Sequence, residues 1–297
     1  YRKGGAETYF IKLGEYLKSL GNEVEYFGMA DERNCVENRV EAYTENIDFH
    51  KKSLKHITYP FKIIYSVNAR KQIRKVLSDF KPDVVHLNNF NYQLTPSIIY
   101  EIKKHNIPIV YTAHDVQLVC PNHKLKNDYT DGLCRKCDGG KYFECVKNNC
   151  VHSSKIRSIL GAVEAWYYKL RHTYKMIDLT VCPSEFMEKE ISRNDDINGR
   201  TVTMYNFIDE IKPLGAECEN YVLYFGRYSE EKGISNLVKA AKKLSNIPFV
   251  FAGKGELENE VNSADNIKNV GFKTGDELRN IIEKALFTVL PAEWSEN

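Results

Sequence analysis

The feature that most limits the fold of this chain is an alternation of short apolar runs with longer segments of helical spacing. Residues 84–87, 107–112, 179–182, 221–225, 249–252 and 287–290 are short and largely apolar, as strands buried on both faces require. Between them, 67–80, 96–105, 154–174, 185–192, 234–244 and 276–284 read as helices, with Ser184 as an N-cap. A further helix fits 6–20, where Ala6, Tyr9, Phe10, Leu13, Leu17 and Leu20 recur on one face and Gly21 follows as a stop. Shorter strands are expected at 24–27, at 202–204 and near Val270, and a short helix at 256–262, while 30–55 is polar and irregular. Such alternation predicts parallel sheets covered by helices on both faces.

The stretch 209–220, with Pro213 and Gly215, divides two such series and reads as a linker. The fold class is therefore α/β, with two Rossmann-like domains facing a cleft at 1–212 and 213–297, the second incomplete. A cysteine-rich insert interrupts the first at about 120–150. The chain opens at Tyr1 without a methionine and stops just after a strand-like run, so a fragment cut at both ends is expected.

Composition narrows the function classes. With 42% hydrophobic and 28% charged residues, the balance is that of a soluble globular protein. The formal net charge of +2 gives no reason to expect a nucleic-acid partner. No apolar run approaches the roughly 20 residues that span a bilayer, and no signal peptide is visible, so the expected location is cytoplasmic.

In open α/β sheets, ligands bind at the carboxyl ends of strands, so residues just after strands carry the chemistry. The turn from Gly226 to Gly233 holds Arg227 and Lys232, a planar fork and a point charge that can converge on one diphosphate. The bland alternative is a solvated loop, but it must accept cations near a helix start, where the dipole disfavours them. Gly253 and Gly255 follow another strand and allow close backbone approach to a ligand, although an ordinary turn has the same composition. His114 ends a strand and can hydrogen-bond a sugar hydroxyl or a phosphate oxygen, and a structural histidine is the alternative. Glu293 and Glu296 follow the last strand, where a carboxylate can accept from sugar hydroxyls.

Taken together, these residues resemble family 4 of the retaining glycosyltransferases, which have the two-domain GT-B fold; the resemblance covers nearly the whole chain. Gly4 and Gly5 resemble the family's amino-terminal glycine loop, which faces the donor diphosphate and the acceptor, and His114 falls at its active-site histidine. Pro183-Ser184-Glu185-Phe186 resembles the stretch before the hinge. Asn206-Phe207-Ile208-Asp209 resembles an Asn-Gly-Val-Asp motif, with Phe207 departing from the usual glycine. Arg227 and Lys232 match the diphosphate-binding pair, Gly271-Phe272 resembles the segment beside the base, and Glu296 matches the first of two donor-binding glutamates. The second would lie beyond Asn297.

The resemblance implies transfer from a nucleotide-sugar donor to a glycan or lipid-linked acceptor. It also implies retention of configuration, no obligatory catalytic metal and a setting in polysaccharide assembly. The absence of any Asp-x-Asp agrees on the metal. A sugar-nucleotide 2-epimerase of the same fold is the alternative enzyme, but it needs its own carboxylates, of which only Glu296 has a match. A non-catalytic nucleotide-sugar-binding subunit is the other, against which the joint presence of His114, Arg227, Lys232 and Glu296 argues.

Two features lie outside that scheme. Five of the eight cysteines fall between Cys120 and Cys150. Cys134, Cys137, Cys145 and Cys150 are spaced for a structural zinc, with Cys120 and His123 as alternative ligands and reduced thiols or a redox pair as the competing reading. The helix at 154–174 interleaves Lys155, Arg157, Lys169, Arg171, His172 and Lys175 with apolar residues. Such a helix can lie on an anionic membrane surface, here the inner face of the cell membrane, or pack on a core with its basic face solvated.

Overall fold

The computed structural model describes residues 4–46, 59–127, 132–208 and 213–292, without the side chains of 59–61. The chain divides into two compact units, Tyr1–Asn206 and Phe207–Glu296. The linker expected at 209–220 begins outside the described residues, and 213–220 has no regular secondary structure.

The first unit contains helix α1 (Gly5–Ser19), α2 (Tyr59–Ile64), α3 (Val67–Phe80), strand β1 (Val85–Leu87), α4 (Ile98–Lys104) and β2 (Ile109–Thr112). It continues through α5 (Phe143–Lys147), α6 (Lys155–Leu170), β3 (Leu179–Cys182), α7 (Glu185–Ile191) and β4 (Thr201–Thr203). The four strands form a parallel sheet in the order β1-β2-β3-β4. Its core joins Ile73 and Leu77 of α3 and Ile99 and Ile102 of α4 to Ile109, Tyr111 and Cys182 of the strands. Local capping follows the sequence: Ser66, Ser154 and Ser184 accept from the backbone N–H three residues on, at the starts of α3, α6 and α7.

Two expectations do not hold. Residues 24–27 form no strand, and the neighbouring backbone makes only an isolated parallel bridge between Met29 and Thr44. A strand needs a partner along its length, and among the described residues only that one pair is in register here. The helix expected over 154–174 ends at Leu170. His172 takes a left-handed conformation, φ 48°, while its Nδ1 lies 2.7 Å from Asp196 Oδ1, and a short 3-10 turn follows at Thr173–Met176. The tertiary contact overrides the continuing helical pattern.

The second unit holds β5 (Val222–Arg227), α8 (Ile234–Lys243), β6 (Phe249–Lys254), α9 (Glu258–Val261), β7 (Ile267–Asn269), α10 (Gly275–Lys284) and β8 (Phe287–Thr288). These strands are parallel in the order β7-β6-β5-β8. Alternate residues of β5 face opposite layers. Val222 and Tyr224 pack with Leu237 and Val238 of α8, whereas Tyr221 and Leu223 pack with Leu278, Ile281 and Ile282 of α10. Both faces of this sheet are covered, as near-continuous apolar strands demand.

Candidate active site

In the second unit the strand order reverses between β5 and β8: β6 and β7 extend to one side of β5, and β8 lies on the other. The crevice at such a reversal, outside the carboxyl ends of the strands, is where open α/β sheets hold ligands. Arg227 ends β5 and is exposed there. A 3-10 turn over Glu230–Lys232 carries the chain back to α8, so Lys232 precedes the helix rather than lying in its first turn. Gly233 follows in the left-handed region, φ 69°. A Cβ added there would sit 1.9 Å from the carbonyl oxygen of Pro291, just past β8. The Arg227–Lys232 turn is thus held against the segment after β8, the two strands that flank the reversal.

The glycines after β6 have a different cause. Gly226 pairs with Gly253 across β5 and β6. A Cβ on Gly253 would meet the Gly226 carbonyl oxygen at 1.9 Å, and one on Gly255 the Tyr228 carbonyl oxygen at 2.2 Å. The close approach that selects glycine here is to the chain's own backbone. It keeps the two strand ends level, so that Lys254 stands beside Arg227 in the register. Lys254 Nζ lies over the ring of Phe272, 5.4 Å from its centroid, and that ring is largely exposed.

Behind these groups, the fully buried Tyr228 donates from its hydroxyl to Asn269 Oδ1, 3.0 Å away, and Gly271 N donates to the same oxygen at 3.1 Å. The turn after β5 and the segment after β7 are therefore tied to one side chain. Burial pushes the Tyr228 hydroxyl well up, with the Glu258 charge adding to the effect, so it stays a neutral donor.

In the first unit, His114 follows β2, and its Nε2 donates to Asn88 Oδ1 at 2.8 Å. That bond leaves Nδ1 as the acceptor nitrogen. Tyr9 of α1 stands edge-on to the imidazole, with centroids 5.3 Å apart. Burial lowers the His114 pKa, while the carboxylates of Asp115 and Glu7 act in the opposite sense. Glu7 belongs to the first turn of α1, whose start carries Gly4 and Gly5, and so the glycine loop and His114 share one neighbourhood. Behind His114, His86 Nε2 lies 2.7 Å from Thr112 Oγ1.

Asn88 went unnoticed in the sequence, although it directly follows the run 84–87, the same signal that singled out His114. Its Nδ2 is buried without a hydrogen-bond partner, an open donor beside the imidazole. Asp115 was also passed over; it faces His123 Nδ1 at 3.3 Å, which engages the histidine considered as an alternative metal ligand. Asn206 is exposed at the end of the first unit. Glu293 and Glu296 lie outside the described residues.

The comparisons agree with this division. A family model described as Glycosyltransferase Family 4 matches residues 3–211, and one described as Glycosyl transferases group 1 matches residues 207–297. The chain is 24% identical over 318 residues to an uncharacterized 42.6 kDa protein in the cps region of Klebsiella pneumoniae, covering 100% of this chain and 77% of that protein. It is 22% identical over 148 residues to an uncharacterized glycosyltransferase of Methanocaldococcus jannaschii, covering 48% and 41% of the two chains.

Among solved structures, it is similar to Anabaena Alr3699/HepE in complex with UDP, at 14% identity and a TM-score of 0.61, covering 99% of this chain and 72% of that one. The lipopolysaccharide outer core galactosyltransferase WaaB is similar at 13% identity and a TM-score of 0.54, covering 97% and 71%. At such identities the likeness is one of fold, and the fold is GT-B.

Proposed function

The chain belongs to family 4 of the glycosyltransferases, and from that premise we propose that it moves a sugar from a nucleotide-sugar donor to a glycan or lipid-linked acceptor with retention of anomeric configuration. The observation that carries the reading is the Arg227–Lys232 turn at the β5/β8 reversal, braced by Gly233 against Pro291. Arg227 and Lys232 bind the donor diphosphate and stabilise the charge that grows on the leaving phosphate, a task that requires no metal. Phe272, with Lys254 over its ring, serves the base side of the nucleotide. The Gly253 and Gly255 backbone keeps the strand ends in place beneath them, and Asn206 and Glu296 complete the donor contacts expected of the family.

Within the first unit, Gly4 and Gly5 line the donor and acceptor side. His114 is the catalytic-site histidine, a neutral imidazole whose tautomer Asn88 fixes, so that Nδ1 can accept from a sugar hydroxyl. UDP is the first nucleotide to try, since HepE has been crystallised with it. The Klebsiella relative from a cps region favours a role in cell-surface polysaccharide assembly.

The lipid-linked acceptor reading has support in α6. Ile156, Ile159, Val163, Trp166 and Leu170 are all exposed, at alternating spacings of three and four, while Ser158, Ala162 and Tyr168 are buried on the opposite side. Lys155 and Arg157 at the start of the helix and Arg171 at its C-cap are exposed as well. An outward apolar stripe with basic residues at both ends of the helix suits peripheral contact with an anionic membrane surface. No helix among the described residues is long and apolar enough to cross a membrane.

Titration calorimetry with UDP and UDP-sugars, followed by anomeric analysis of the transfer product by NMR, tests the reading. Arg227→Ala and Lys232→Ala are each expected to weaken UDP binding about 10–100-fold, the worth of a charge-assisted hydrogen bond. Turnover is expected to persist without added Mg2+ or Mn2+. Binding without transfer to any acceptor would replace the enzyme with a binding subunit, and interconversion of the donor alone would replace it with an epimerase.

A further inference from the structure

Five sulfurs from one stretch of chain meet in the first unit. Cys120, Cys134, Cys137, Cys145 and Cys150 line a single small cavity; the first four are buried and Cys150 is half-buried. The remaining cysteines are elsewhere: Cys182 sits in the sheet core on β3, and Cys35 and Cys218 are exposed. None of the eight is in a disulfide.

Hydrogen-bonding groups of the chain approach two of these sulfurs. The backbone N–H groups of Asn122, Leu125 and Lys124 point at the Cys120 sulfur. Asn127 Nδ2 donates to Cys134 Sγ at 3.0 Å. After Cys137 the chain reverses through Gly139 and Gly140, both at positive φ, and the Cys137 carbonyl accepts from Gly140 N and Lys141 N, each at 3.1 Å. Lys124, Lys126, Arg135, Lys136, Lys141 and Lys147 fall within the same stretch and offset the negative charge of a tetrathiolate site.

Burial alone does not account for the insert's order. Among its described residues, regular structure amounts to the five-residue α5 and a 3-10 turn over Asp138–Gly140. Its core is Cys137, Tyr142 and Cys145 against Ala162 of α6. So short a segment buries too little apolar surface to fix itself, and segments of this kind are commonly stapled by a metal or disulfides. Ion pairs from Arg135 to Glu190 and from Arg193 to Asp138 fasten its outer side to α7 and the turn after it. Its inner side packs Tyr142 and Val146 against Ala162 and Ala165 of α6, beside the cavity that the sulfurs line.

We propose that this cavity binds one Zn2+ through four of its five cysteine sulfurs, with Cys120 among the four. The ion then ties the segment that leaves His114, six residues before Cys120, to the insert. Cys120 is placed among the four because it alone comes from the segment just after His114, yet it lines the same cavity as the other sulfurs. Among the described residues no three His, Cys, Asp or Glu side chains already stand in an arrangement that holds a metal. Ligation therefore turns the sulfurs inward from the cavity wall and releases the protons of the four thiols as the Zn–S bonds form.

The test is metal content of the full chain, purified under reducing conditions with zinc supplied. One zinc per chain is expected, retained in Cys35→Ser and Cys218→Ser and reduced at least tenfold in Cys120→Ser. If Cys120→Ser does not fold, titrating the wild-type thiols with a mercurial while reading released zinc with a colorimetric chelator gives the answer. One zinc should appear as four thiols react, and Co2+ in its place should show thiolate-to-metal charge-transfer absorption. Less than a tenth of an equivalent of zinc, or disulfide-paired cysteines in the purified protein, overturns the site; a full equivalent in Cys120→Ser overturns the role of Cys120.

Discussion

At the scale of single residues, two histidines on neighbouring strands have different tasks. His114 keeps Nδ1 as its acceptor nitrogen, while His86 bonds to Thr112 at the end of β2. Burial, with a smaller contribution from His114, holds the His86 pKa down at about 4. Unfolded, the same group titrates near ~6.5. Between those values the unfolded chain takes up a proton that the folded chain refuses, so stability is complete above the upper value and falls as pH drops toward the lower. Because His86 is only partly buried, the loss is on the order of 2 kcal/mol. Urea denaturation of the wild type and His86→Gln at pH 7.5 and pH 4.5 reads it: the wild type should lose more stability across that interval. Equal losses in the two proteins would mean that His86 is not the titrating group.

At the scale of elements, Gly233 is the joint between the Arg227–Lys232 turn and α8. Its positive φ and the 1.9 Å approach to the Pro291 carbonyl both exclude a side chain. Gly233→Ala should cost about 2 kcal/mol or more, seen in the denaturation midpoint, and should weaken UDP binding by displacing Lys232. The α6 surface makes a separate demand. Ile156 and Leu170, 73% and 78% exposed at opposite ends of the helix, are the residues to change. Ile156→Asp with Leu170→Asp should reduce co-sedimentation with phosphatidylglycerol vesicles several-fold while leaving UDP affinity unchanged. Unaltered sedimentation would leave the stripe to some partner other than lipid.

At the scale of the whole molecule, two units with separate cores imply two responses to ligand. A ligand at 100 times its Kd stabilises the state that binds it by about 2.7 kcal/mol. Saturating UDP should slow amide exchange in β5 and β6 more than in β2 and β3, as followed by mass spectrometry. Larger protection in β2 and β3 would move phosphate binding to the first unit.

The alternation of apolar runs and helical segments was enough to specify parallel sheets with helices on both faces, since backbone pairing and apolar burial leave few other ways to satisfy such a pattern. Helix α3 spans the very residues read from the sequence, because its serine cap and its face of Ala69, Ile73, Val76 and Leu77 are both local signals. Arg227, Lys232 and His114 were legible for a similar reason: each stands just past a run of strand spacing. What lay beyond reach depended on partners distant in sequence. Residues 24–27 have strand composition but no neighbour in register among the described residues, and His172 ends α6 through Asp196, 24 residues away. The glycine turn of Gly253 and Gly255 was readable as a place of close approach, but only the folded sheet decides that the approaching group is the chain's own backbone. Likewise the spacing of the cysteines suggests a cluster, whereas the gathering of Cys120 with the other four is a product of how the insert folds back on the strand that bears His114. Local pattern determined the elements and the candidate residues. Which of them meet was settled by tertiary packing, because a contact's energy depends on both partners and the sequence displays them one at a time.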